Sequence, residues 1–403
     1  MAELKLRKNM TLADLTAWIG ADEMLFAVAR EASFAFLVEP LAIARLYQLH
    51  REGSRIDADI LYELPDFAVV DKPVTPLTAE GSGTPTSKLG IINTLFGLGL
   101  LDTAATILAG SPRTEISDQL RAAVWKLLSS SRGLIGSGDY VAIVSRDPDM
   151  PLPPVLRETL RTAGTREFPY RLTFTNLLKT IGREMGIASD LATSPLENAL
   201  VTFLYEVAKN AHDHARTTSD GLALSGTRGV IVQKLRGLSL DELQSRPAFP
   251  DQLRAYLSRA WSPSSAPGVL IAITVVDTGP GIHRRLEPKA GESDWDRLGR
   301  AFLPGESSKP QGVVGRGQGL HLVLDGFASC EKLRAFLFVR SANLLAYRDF
   351  TDQNFSATHL DKPHALQPWD QEISGGTGTA LTVVWPILRQ PEGTSSGITS
   401  SGR

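Results

Sequence analysis

The sequence predicts an α/β protein of two domains, and three observations predict it. The chain has 403 residues, more than one ordinary domain holds. Its second half contains a helix with an apolar stripe, a continuous apolar β-branched run and a glycine-rich loop opening an apolar helix. Its first half alternates candidate strands with a helix, the pattern of a parallel α/β unit.

The first domain is read as residues 1–150. ASFAFLVEP (32 to 40) reads as a strand, PLAIARLYQLHREG as a helix and DADILYEL (57 to 64) as a second strand, joined by a parallel crossover. DKPVTPLTAEGSGTPTSK is an exposed turn-rich loop. GIINTLFGLGLLDTAATILAG (90 to 110) is long enough for a membrane span, but Asn93 and Asp102 interrupt it, so it reads as one or two buried helices. DYVAIVSRDP is a strand, and PDMPLPP (148 to 154) is a linker, because successive prolines oppose helix and sheet alike.

The second domain is read as 151–390. PYRLTFTNLLKTIGREMGI is a helix leading into it, suited to pairing subunits. Next, Leu196, Leu200, Phe203, Leu204, Val207 and Ala211 form one helical stripe. Glu206 and Asn210 stack on a shoulder of that stripe, with Asp213 one turn further. An amide oxygen is a hard ligand for Mg²⁺, and a carboxylate accepts a proton from an attacking water or hydroxyl. His212 and His214 point about 200° apart on a helix, so they do not share an ion. His214 falls in the stripe, as a core or nucleotide-edge residue, and His212 points to the opposite side.

Val269 to Val276 is the buried strand, and Asp277 emerges at its end. Gly279 and Gly281 flank Pro280, so the backbone can approach a planar ring and Asp277 can accept an adenine amino proton. Gly315, Gly317 and Gly319, followed by Leu320, form the glycine-rich loop, whose N–H groups suit phosphate oxygens. Lys309 and Arg316 are candidates for neutralising a γ-phosphate.

With these motifs in this order, the second half resembles the GHKL, or Bergerat-fold, ATPase superfamily of gyrase-type topoisomerases, heat-shock chaperones, histidine kinases and mismatch-repair ATPases. The resemblance implies an α/β sandwich in which helices cover a mixed sheet, with ATP and Mg²⁺ as cofactors. It assigns Glu206 as general base, Asn210 as Mg²⁺ ligand, Asp277, Gly279 and Gly281 to adenine, and Gly315, Gly317 and Gly319 to phosphate. GGTGTALTVVWP (375 to 386) resembles the last family element, with Thr379 near the adenine. Residues 282–314 take the position of the ATP lid, anchored by Phe302, and its Ser307, Ser308 and Lys309 resemble the lid end of kinase-like members. The segment 217–267 reads as an insertion carrying partner contacts. The first domain has a loose resemblance to the anti-sigma antagonist (STAS) fold.

A phosphoacceptor histidine on a helical hairpin is not found, which speaks against histidine autophosphorylation. Glu206 resembles the hydrolytic branch and also the anti-sigma serine kinases, whose histidine four residues after the asparagine is matched by His214. Three readings stay open: slow ATP hydrolysis driving a conformational switch, serine phosphorylation of a protein partner, and ATP sensing without turnover. Relatives that dimerise beside the site suggest a homodimer.

Composition narrows the partners. With 42 basic and 44 acidic residues the net charge is -2, giving no general drive toward nucleic acid or acidic membranes. The single cysteine, Cys330, has no intramolecular disulfide partner and reads as a packed thiol in a reducing compartment. MAELKLRKNMTLADL lacks a signal-peptide core, so a cytoplasmic protein is expected. The tail 391–403 reads as disordered.

Overall fold

The computed structural model describes the chain apart from residues 61–94, 100–103, 110–113, 116–133, 148–151, 158–167, 262–265, 307–316, 352–365, 370–376, 390–403 and some shorter stretches. The described residues form an α/β structure with two sheets. In the first sheet, β1 (Ala2–Leu6), β2 (Glu23–Val28), β3 (Arg55–Ile60) and β4 (Ala104–Ala109) run parallel in that order, and the short β5 (Thr114–Glu115) pairs antiparallel with β4.

The second sheet contains β6 (Leu134–Ile135), β7 (Tyr140–Asp147), β8 (Gly226–Leu238), β9 (Ala266–Asp277), β10 (Phe336–Ser341), β11 (Leu344–Asp349), β12 (Gln367–Pro368) and β13 (Thr379–Arg389). Their order is β12-β11-β10-β13-β9-β8-β7-β6. Every described pair is antiparallel, so the expected mixed sheet is not found. The connections explain this. Between β7 and β8 the chain passes through α3 (Pro154–Arg157), α4 (Arg171–Met185), α5 (Ala188–Leu191) and α6 (Ser194–His214), so two long helices, not one, separate the strands. Arg171 donates to Thr202 at 2.6 Å and Lys179 lies 3.7 Å from Glu197, so α4 and α6 run antiparallel and the chain re-enters the sheet reversed.

Three sequence expectations in the first half change. The described residues 33 to 40 are not a strand: Leu37 has φ 72, and helix Glu39–Arg51 starts just after it with Pro40 in its first turn. The parallel crossover exists, but it joins β2 to β3 through that helix. Within 90 to 110, residues 95–97 are helical, whereas β4 pairs with β3, because a short apolar run fits a buried strand as well as a buried helix. Strands β6 and β7, which precede residue 150, belong to the second sheet. The loop at 71–88, the linker residues 148–151 and the tail 391–403 lie outside the described residues.

The segment 217–267 is not an added surface module. It supplies β8, next to the central β9, then Leu240–Gln244 and Asp251–Ala260, whose Leu253, Tyr256 and Leu257 are fully buried. The Tyr256 hydroxyl donates to the carbonyls of Arg334 and Val384 at 2.7 and 3.2 Å, tying this segment across the sheet.

Strand alternation divides the interior into two cores. Val269, Ile271, Ile273 and Val275 of β9 face the layer of α4, α6 and Gly319–Ala328, with Leu178, Phe203 and Val323. Leu270, Ala272 and Val276 face the other way, toward the helix Glu39–Arg51, hereafter α2 because Leu12–Thr16 is α1. Every residue of α2 from Glu39 to Leu49 is buried, and its Leu41, Ile43, Leu46 and Leu49 share a core with Met24 and Phe26 of the first sheet and Phe338 and Val384 of the second. A helix buried all round lies between layers. The two sheets therefore enclose α2, and Glu39 inside that layer accepts hydrogen bonds at 3.0 Å from Phe96 N–H and from the Tyr140 hydroxyl.

Candidate functional site

The helix α6 carries the first wall. Leu196, Leu200, Phe203, Leu204, Val207 and Ala211 are all buried, as the stripe predicts, which leaves Glu206 and Asn210 half-buried on its shoulder. The end of β9 provides the floor, where Asp277 is only 7% exposed and pairs in register with Thr379 of β13 on one side and Arg228 of β8 on the other. The far wall is the start of the helix α10, taken here as Gly319–Ala328, after α7 (Leu240–Gln244), α8 (Asp251–Ala260) and α9 (Asp294–Arg300).

These elements surround one cleft, whose empty space counted out into open solvent is about 880 Å³. Of the residues singled out in the sequence, Glu206, Asn210, Asp277, Gly281, Gly317, Gly319, Leu320 and Thr379 line it. They come from four segments separated by up to 173 positions of sequence, counting from 206 to 379. His214 lines it too, and Phe302 is fully buried beside it in the helix-side core. Asp213 is not among the lining residues; it faces solvent and pairs with Lys209 at 3.4 Å. Gly279 stands behind the cleft, where a Cβ would lie 2.6 Å from Ala215 Cα. Lys309, Gly315 and Arg316, with Ser307 and Ser308, fall outside the described residues.

Two glycines shape the cleft in different ways. Gly281 has φ 102, and a Cβ there would sit 3.0 Å from the Ala342 nitrogen. At Gly319 a Cβ would sit 2.6 Å from a Glu206 carboxylate oxygen, so the missing side chain is what lets the carboxylate lie against the start of α10.

The Asp277 carboxyl is held by the turn that follows it. The Gly279 N–H donates to its Oδ1 at 2.8 Å, and the Gly378 N–H donates to the Gly279 carbonyl at 2.6 Å. Burial pushes its pKa up to about 6; the Gly279 N–H, Arg228, the Thr379 hydroxyl and Arg51 pull the other way without overcoming burial. A carboxyl poised in this way near neutrality, in a cleft, is a recognised mark of functional sites.

Several lining residues carried no motif. Lys209 is three residues beyond Glu206, so helical spacing contains the signal. Arg285 leaves a 3₁₀ turn, His283–Arg285, and donates to the carbonyls of His214, Thr217 and Thr218, fastening the end of α6 to the segment after β9. Glu306 lines the cleft while accepting from Arg300 at 2.7 Å and from Lys289 at 3.0 Å. The described part of 282–314 thus holds two short helices within its turns, and Ser293 caps α9 in a reciprocal box with Asp296. His212 does point away from the cleft, but that side is buried: its ring is 5.1 Å from Phe168 and its Nδ1 is 3.3 Å from Arg228.

No family model, curated protein or solved structure matches this chain. The functional reading rests on its residues. Among the described residues no helix is long and apolar enough to cross a membrane, and no three His, Cys, Asp or Glu side chains gather as a metal cluster. Cys330 is buried and free.

Proposed function

We propose that the cleft binds ATP with Mg²⁺ and hydrolyses it slowly, and that the protein is a nucleotide-driven switch of the GHKL type. The observation that carries this reading is convergence: Glu206 and Asn210, Asp277 and Gly281, Gly317 to Leu320, and Thr379 line one cleft although the chain separates them widely. Asp277 is placed at the buried end, where an ionised carboxylate accepts from an amino group on a planar base. Gly317 and Gly319 line the cleft where α10 begins, and free N–H groups at a helix start favour phosphate. Glu206, beside Gly319, is the group able to take a proton from an attacking water.

The donor set fits Mg²⁺. Asn210 offers one hard oxygen in the cleft, and Mg²⁺ commonly takes one or two protein ligands and fills the remainder with phosphate oxygens and water. When bound, the ion would neutralise phosphate charge. The chain's own part is to seat the base on Asp277, to align phosphate at the start of α10 and to hold the proton acceptor Glu206 against it.

The test is incubation of the purified protein with γ-labelled ATP and Mg²⁺, with and without lysate, following free phosphate and labelled protein separately. Glu206→Ala is expected to lower phosphate release by about 10²- to 10⁴-fold while retaining ATP binding. Hydrolysis at the wild-type rate in the variant would remove Glu206 as the base. Label on a lysate protein would establish the serine-kinase alternative, and binding without either product would establish an ATP sensor. A protein partner and a homodimer belong to the proposal in the same way.

A further inference from the structure

The base end of the cleft is backed by an element of the first sheet. Three residues of α2, Ala44, Tyr47 and Arg51, reach three segments that surround Asp277. Arg51 donates to the Thr278 carbonyl, directly after Asp277. The Tyr47 hydroxyl bonds the Thr227 hydroxyl at the start of β8, and the Thr227 N–H donates to the Thr278 hydroxyl at 3.1 Å. Ala44 abuts Gly378, where a Cβ would lie 2.5 Å from the Ala44 Cβ, and Gly378 in turn donates to Gly279. Thr278 and Thr227 are each 2% exposed, so these bonds stand in place of water and have no solvent substitute. Gly226 has the same cause: a side chain there would strike Thr278 and the Arg51 guanidinium, at 2.3 and 3.2 Å from its Cβ.

We propose that Tyr47 and Arg51 are positioning residues of the base end, holding the Asp277–Thr278 turn from behind, so that the packing of α2 between the sheets sets the affinity for the base. This rests on the nucleotide reading only for its ligand. The positioning itself is a property of the free protein. Because α2 is enclosed by both sheets, any ligand that orders the turn favours the packed position of α2, and a change in the first sheet alters affinity by the reciprocal amount.

The full-length protein tests it with two readouts, binding of ATP and of adenosine, and amide hydrogen exchange at Thr227 and Gly279 without ligand. Arg51→Met is expected to weaken ATP and adenosine by the same factor, about tenfold, which is about 1.4 kcal/mol. It is also expected to speed exchange at both amides. Arg51→Lys, which keeps a donor, recovers most of each effect, and this rescue is what a general loss of packing would not show. Tyr47→Phe removes only a hydroxyl and gives a smaller change of the same kind, so the test survives if Arg51→Met fails to fold. Arg171→Met, on the opposite helix layer, changes neither readout. Unchanged exchange and unchanged affinity in both Arg51→Met and Tyr47→Phe would overturn the proposal. Faster exchange in a protein that binds no ATP even as wild type would uphold the positioning and refute the nucleotide reading.

Discussion

Asp277 sets stability against binding, and pH separates the two. Burial raises its carboxyl from 3.8 to about 6. The folded pKa lies above the unfolded one, so in that interval the folded state keeps a proton that the unfolded chain has lost. The stability this group contributes is complete below the unfolded value and is lost as pH rises through the folded value. A rise of about two units corresponds to about 3 kcal/mol, of which about 2 kcal/mol is lost between about pH 4.5 and about pH 7. Base binding has the opposite sign, because an amino group donates more strongly to the ionised form than to the neutral carboxyl. As pH falls below about 6 the dissociation constant for adenosine should therefore rise by up to about 10- to 100-fold, levelling off once the carboxyl is neutral. Adenosine is the right ligand because it has no phosphate to titrate. Asp277→Asn keeps the shape and removes the titration: its affinity is expected to be about 10- to 100-fold weaker at neutral pH, the worth of about 1.5–3 kcal/mol for a hydrogen bond to a charged group, and independent of pH. Calorimetric titration of both proteins across the interval, with denaturant unfolding at its ends, measures both signs. A flat affinity profile in the wild type, or the same slope in Asp277→Asn, would refute the assignment of Asp277 to the base.

Gly319→Ala should leave folding and ATP affinity within about threefold, since the clashing atom is the movable end of Glu206, but displace that carboxylate and slow turnover by about 10- to 100-fold. Equal turnover in single-cycle assays would show that Glu206 acts from elsewhere. Deletion of residues 1–150 should abolish cooperative unfolding. It removes Val141 and Ile143 from one core and Leu41, Ile43, Leu46 and Leu49 from the other, and at about 1.5–3 kcal/mol each these six amount to about 9–18 kcal/mol, as much as the whole stability of a domain. A truncated protein with a cooperative melt and intact ATP binding would contradict the shared core.

The legible part of this protein is the part written in local periodicity. The stripe from Leu196 to Ala211 and the apolar run ending at Asp277 each carry their own spacing, so α6, β9 and the shoulder position of Glu206 and Asn210 could be read directly. Asp213 is one turn further on, yet it turns to solvent and pairs with Lys209 while its neighbour His214 lines the cleft, because successive helical residues point about 100° apart. Arg285 and Glu306 could not be found, since what brings them to the site is a 3₁₀ turn and an Arg300-centred ion-pair network joining Glu292 and Glu306, neither of which has a period. The boundary at residue 150 misplaced β6 and β7 for a related reason. The PDMPLPP run reads as a break, but a strand's partner is set by long-range register, here Tyr140 opposite Gln233, which no local signal contains.

The same long-range packing limits what one contact between the halves can do. A tenfold effect at Arg51 moves a balanced two-state equilibrium to about ten to one, whereas turning a state from 1:99 to 99:1 takes about 10⁴-fold, or about 5.5 kcal/mol. Arg51 alone is thus a bias and not a switch. To reach the larger figure, occupancy of the cleft must act on α2 as a body: Ala44 against Gly378, Tyr47 on Thr227 and Arg51 on Thr278 have to tighten or loosen together. A close-packed layer favours that outcome, because a helix enclosed on both faces cannot yield at one residue without disturbing the next. Glu39 at the opposite end of α2 accepts from Tyr140 of β7 and from Phe96, whose ring packs against Phe26 of β2, so such a movement would pass there between the second sheet and the first.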